Sequence, residues 1–152
     1  MDLKVLLPRH HVLHKLQDAE RGCLLRQLAA PLVEDRLITD PDRFLADLER
    51  REDEVTTQAE MGVAFPHARS PAVRRLALTM GIAEPPGIRF HPELDEPCRL
   101  LFLIGVPALA PTAHLPLLQW LANFARDPAR LEKLLATTTP APAIRCLLSY
   151  RD

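Results

Sequence analysis

Gly62-Val-Ala-Phe-Pro-His-Ala-Arg69 is the stretch from which the rest of the chain is read. An apolar run, Val63 to Phe65, stops at Pro66, and a histidine follows at once. Proline holds its own φ at roughly −65° and pushes the residue before it towards extended geometry. His67 is therefore expected to leave a buried strand at a fixed angle, with its ring carried on rigid backbone. Gly62 opens the stretch where close backbone approach or a positive φ is needed, and Arg69 follows His67 by two positions. Imidazole near neutral pH serves as nucleophile, proton carrier or ligand. Taken by itself, the stretch reads more simply as a satisfied histidine at a strand end.

Upstream, Leu24, Leu25, Leu28, Leu32 and Val33 share one face of a helix for which Asp18 is the expected cap, and Pro31 is expected to bend or split it after Ala30. Asp40-Pro41 places a cap before a proline at the first position of a second helix, whose buried stripe is Phe44, Leu45 and Leu48. Arg51 continues that stripe, while Arg50 is rotated away. An arginine carried inward needs an anionic partner, either a carboxylate such as Glu54 or an anion near His67. Val55 to Gln58 reads as a short extended segment.

Downstream, Leu76 to Ala83 reads as a strand in which Gly81 permits close packing, and Glu84-Pro-Pro-Gly87 as a turn. Leu100 to Val106 is apolar on both faces, as a central strand covered by helices on each side must be. Thr112 is expected to open a helix with Leu117, Leu118, Leu121, Phe124 and Ala125 on one face. His114 falls on the same side in its first turn, where unpaired N–H groups and the helix dipole favour an anion. A capping or core role for His114 stays open. Asp127-Pro128 starts another helix, and Ala141 to Leu148 forms the last. The fold class is α/β, in one domain over residues 1–152.

Composition narrows the function. A net charge of −1 and an aromatic content of 5% leave no basic field and few stacking platforms, so nucleic-acid binding is not expected. The longest apolar run, Leu100 to Leu109, is too short to cross a bilayer, and no secretory segment is seen, so no direct membrane insertion is expected. Cys23, Cys98 and Cys146 are odd in number and widely spaced, as reduced thiols of a cytoplasmic protein would be. Val12 to Leu16 alternates as a short strand with one half-buried face. His10, His11 and His14 have no carboxylate or cysteine at ligand spacing beside them and are read as a polar rim. Neither a metal site nor a cofactor is expected. No P-loop, dinucleotide fingerprint or nucleophile elbow is present, so ATP is not the expected direct donor.

Arg51-Glu-Asp-Glu-Val-Thr-Thr-Gln-Ala-Glu-Met-Gly-Val-Ala-Phe-Pro-His67 resembles the active-site region of the fructose/mannitol-type enzyme IIA proteins of the bacterial phosphotransferase system, the nitrogen-regulatory branch included. Asp95 to Pro107 and Pro111-Thr-Ala-His-Leu115 agree as well, and the likeness runs from about Leu3 to Leu148. It implies a mixed central β-sheet flanked by helices on both faces, and that His67 receives a phosphoryl group from the phosphohistidine of an HPr-like carrier protein and passes it to an enzyme IIB. In the regulatory alternative, the phosphorylation state of His67 controls a transporter or kinase. It also implies that His114 is the second active-site histidine, that Arg51 is the active-site arginine, and that Thr57 bonds the phosphate or orients a ring.

That chemistry needs a neutral imidazole whose other nitrogen donates a hydrogen bond. It also needs donors already in place for the equatorial oxygens of a loose transition state, and Arg51 and His114 are the candidates. Two departures loosen any sugar assignment. Glu60-Met61 stands where a small or polar pair is common, and Ala68-Arg69 follows His67 where many members have glycine.

Overall fold

From the N-terminus the chain forms α1 (Leu3–Leu6), a 3-10 turn at Arg9–His11, strand β1 (Val12–Leu16), helices α2 (Arg21–Glu34) and α3 (Pro41–Glu54), and the short strands β2 (Gln58–Ala59), β3 (Val63–Ala64) and β4 (His67–Ser70), with a second 3-10 turn at Glu60–Gly62 between β2 and β3. Strands β5 (Ala77–Ala83) and β6 (Leu100–Pro107) and helices α4 (Leu115–Ala125), α5 (Pro128–Leu135) and α6 (Pro140–Leu148) complete it. This is a computed structural model, and it describes residues 2–151.

The sheet has six strands in the order β1-β5-β6-β3-β2, with β4 also on β6. β1 runs parallel to β5, β5 antiparallel to β6, β3 and β4 parallel to β6, and β2 antiparallel to β3. The expected mixed sheet is the one formed. β6 lies inside it, and its side chains alternate between two cores. Leu100, Phe102, Ile104 and Val106 pack with Leu117, Leu121 and Phe124 of α4 and with residues of α5 and α6. Leu101 and Leu103 pack on the other face with Leu28 and Leu32 of α2 and with Phe44 and Leu48 of α3. A strand covered on both sides has no use for polar side chains, which is why this segment is apolar throughout.

Two glycines are there for space. A Cβ on Gly81 would meet Leu16 Cδ1 at 2.5 Å and Leu28 Cδ2 at 2.6 Å. At Gly62, φ is +72° and a Cβ would lie 2.5 Å from the Pro97 carbonyl oxygen, so both requirements read from the sequence apply there.

Three local expectations are corrected. α2 is not split after Ala30 but continues through Pro31 to Glu34. Leu28 and Leu32 on either side of it are fully buried, and roughly 1.5–3 kcal/mol for each such side chain outweighs the loss of about 3 kcal/mol that an internal proline brings. Asp18 does not cap α2. The N-cap position is Glu20, with no side-chain bond, and Asp18 instead accepts from the Arg89 N–H at 2.9 Å. α4 begins at Leu115 and not at Thr112, with Pro116 in its first turn, where the missing N–H costs nothing. By contrast, Asp40 and Asp127 cap α3 and α5 as read, accepting from the N–H groups of Arg43 and Ala129. No described helix is long and apolar enough to cross a membrane.

Candidate functional site

β3 and β4 lie along the same edge of β6, Val63 opposite Leu100 and His67 opposite Ile104. Phe65-Pro66 interrupts them, because proline has no N–H to offer the ladder. The chain rejoins β6 through the Ile104 N–H, which donates to the Pro66 carbonyl at 2.9 Å. His67 is thus the first residue of a strand and not the exit of one, a correction that keeps its backbone rigid for the same reason. Its Nδ1–H donates to the Phe65 carbonyl at 2.7 Å. That bond places the proton on Nδ1 and leaves the lone pair on Nε2, which makes no hydrogen bond among the described residues.

His114 is the N-cap residue of α4, and its ring centroid lies 5.3 Å from that of His67. Residues 47 positions apart in sequence are therefore neighbours. The His114 ring is 7% exposed, and its Nδ1 is buried with no hydrogen-bond partner among the described residues. Both imidazoles are held below the ordinary histidine range. For His67, burial is the main cause, helped by Arg51 and Arg69 and opposed by the Phe65 bond and the charge of Glu52. For His114 the cause is burial, then the proximity of His67 and Arg69. Both rings are neutral near pH 7.

The two histidines line a cavity of about 240 Å³ with Asp47, Arg50, Arg51, Glu54, Ala68 and Arg69. Arg51 comes from the last turn of α3 and is fixed by donating from Nη1 to the Val55 carbonyl at 2.7 Å. It makes no ion pair among the described residues, so Glu54 is not the partner its position suggested. Asp47 is already taken by Arg43 at 3.1 Å and Arg50 at 2.8 Å. Arg69, which sequence reasoning noted without assigning a role, lines the same cavity. Alternation along β4 turns Arg69 to the same side as His67, and that spacing was the available signal. Glu60, the acid that raised doubt, is exposed and belongs to a different hollow beside Met61 and Phe65.

Thr57 does not line the cavity. Its hydroxyl and its N–H both donate to the Glu52 carboxylate. Glu52 is 1% exposed and its carboxylate also lies 2.7 Å from His91 Nε2, while His91 Nδ1 lies 2.7 Å from the Glu93 carboxylate. The sequence reading missed Glu52 and His91. Glu52 stands four residues after Leu48 and eight after Phe44, so the stripe of α3 pointed to it; nothing local pointed to His91. Of the thiols, Cys98 is buried and pushed up to about 12, which leaves it no nucleophilic role.

A neutral, tautomer-fixed imidazole with a free Nε2, a second imidazole beside it and three arginines around a small polar cleft suit group transfer of a small anion. The chain belongs to the phosphoenolpyruvate-dependent sugar phosphotransferase system EIIA 2 family, which it matches over residues 6–150. It is 36% identical over 98 residues to the fructose-specific EIIA component of Haloferax volcanii, a match covering 64% of this chain and 63% of that relative. Its fold is similar to that of the nitrogen regulatory protein IIA-Ntr from Neisseria meningitidis (TM-score 0.84, 22% identity, covering 95% of this chain and 98% of that one). It is also similar to the mannitol enzyme IIA from Escherichia coli in a complex with phosphorylated mannitol enzyme IIB (TM-score 0.78, 20% identity, 92% and 95% coverage).

Proposed function

We propose that this protein carries a phosphoryl group on His67 Nε2, receiving it from an HPr-like phosphohistidine and handing it to an enzyme IIB. The observation that supports the reading most directly is the Nδ1–H bond from His67 to the Phe65 carbonyl, which directs the free lone pair to Nε2. That pair attacks the phosphorus in line. The bond from phosphorus to the donor's nitrogen breaks with its electrons going to the donor imidazole, and no proton has to leave His67. Arg51 and Arg69 meet the equatorial oxygens. His114 has no acceptor at Nδ1; an orphaned N–H is the costlier state, so its proton belongs on Nε2, where it donates to the phosphate. Thr57 then acts at one remove, by holding Glu52, and is a positioning residue.

The mannitol complex supports an enzyme IIB as the recipient, and membership of this family supports work in the cytoplasm. Mass spectrometry after incubation with HPr, enzyme I and phosphoenolpyruvate tests the assignment. Wild-type protein gains one phosphoryl group and His67→Ala gains none. Because the ring's own bond is to its neighbour's backbone, the variant keeps its fold. Label on His67→Ala would move the acceptor elsewhere. Onward transfer to an enzyme IIB and a sugar separates the transport role from the regulatory alternative, which takes up label but does not pass it on.

A further inference from the structure

His10, His11 and His14 offered no ligand set in sequence because no acid stands near them. The fold supplies one. Asp35, the C-cap residue of α2, brings its Oδ2 within 2.6 Å of His10 Nε2 and 2.7 Å of His11 Nε2. The ligand atoms of all three lie within 4.8 Å of one another.

His11 is 2% exposed, and its Nδ1–H donates to the Leu78 carbonyl of β5 at 2.9 Å. A backbone carbonyl on the far nitrogen is the outer-shell partner that metal-binding histidines use to fix tautomer and ring orientation. With that proton on Nδ1, His11 Nε2 presents a lone pair, and it faces a carboxylate oxygen. Two lone pairs at hydrogen-bond distance require a positive centre between them, either a second proton or a metal ion. Asp35 adds to the demand, because a carboxylate at a helix C-terminus lies against the negative end of the helix dipole.

We propose that His10 Nε2, His11 Nε2 and an Asp35 oxygen form a three-ligand site for a divalent transition-metal ion of the Zn²⁺ class, with a water completing the tetrahedron. Bonds of about 2.0 Å to tetrahedral zinc hold neighbouring ligand atoms about 3.3 Å apart, so the cluster must open slightly. His11 is the fixed member. The His10 and Asp35 side chains are 55% and 33% exposed and have room to move. The ion would clip the turn before β1 to the end of α2. Strands β5 and β6 separate β1 from β4, so its role is to brace the fold, and it takes no part at His67.

The test uses the full chain stripped of metal, with Zn²⁺ titrated by calorimetry, Co²⁺ as the spectroscopic probe, and the melting temperature followed in parallel. Wild-type protein is expected to bind one equivalent, to give the visible bands of tetrahedral Co²⁺, and to melt about 5 °C higher or more at ~100-fold excess over the dissociation constant. His10→Ala, at an exposed position, and Asp35→Asn should each weaken binding by about tenfold or more. His67→Ala should bind as wild type does, which excludes the His67–His114 pair as the site. Absence of binding at millimolar Zn²⁺ would show a proton-held ion pair only and overturn the proposal. So would wild-type affinity in either His10→Ala or Asp35→Asn.

Discussion

His67 and His91 are the same side chain put to opposite uses. His91 is 4% exposed and has a carboxylate on each ring nitrogen, Glu52 at 2.7 Å and Glu93 at 2.7 Å. Both nitrogens are spent on fixed partners, and nothing is left for an incoming group. His67 gives one nitrogen to a backbone carbonyl and keeps the other uncommitted beside a polar cavity. Burial and nearby guanidinium groups disfavour its cation. A histidine becomes reactive here by being half satisfied, and structural by being fully satisfied.

Substitutions on the two sides should behave differently, and the largest effect belongs to the cleft. Arg51→Ala removes a donor held ready by its bond to the Val55 carbonyl and should slow phosphoryl uptake by on the order of 10²–10³. Stability should move by no more than about 1 kcal/mol. Rapid-quench transfer assays with urea denaturation measure both, and an unchanged rate would leave Arg51 as a helix-end cap.

Glu52→Gln should show the reverse balance. Turning one of the two carboxylate oxygens into an amide NH2 leaves a single acceptor for the partners that share Glu52, a loss of about 1–3 kcal/mol for a buried polar group left unpaired. It also removes the one charge that raises the His67 pKa, so that value should fall further in an NMR titration. Unaltered stability in urea would mean that the Glu52–His91 region does not brace the site.

The smallest effect is the pH response of stability. In His67 and His114 the folded pKa lies below the ordinary value of 6.5. As pH falls through 6.5 the unfolded chain binds protons first, so these two residues withdraw stability until their folded values are reached, where the loss levels off. His114→Ala should therefore lose less stability than wild type between about pH 7 and pH 5 in parallel denaturation curves. An equal loss would place the acid sensitivity outside the cleft.

Much of the scaffold was legible because its signals are local. The two-faced apolar run of β6, the Asp-Pro starts of α3 and α5, and the close approach at Gly62 each need only a few adjacent residues to state the requirement. Local reading failed where a distant contact outweighed a local preference. Pro31 stays in α2 because Leu28 and Leu32 are buried beside it, and Asp18 is drawn to the Arg89 N–H.

From sequence alone, then, come a central strand covered on both faces and a histidine set on rigid backbone after a proline, since periodicity and proline geometry act over a handful of bonds. The tertiary structure alone decided that His114 stands 5.3 Å from His67, that Glu52 meets His91, and that Asp35 closes on His10 and His11. Those meetings join segments separated by tens of residues. They depend on how helices seat on the two faces of the sheet, which no stretch of chain specifies by itself.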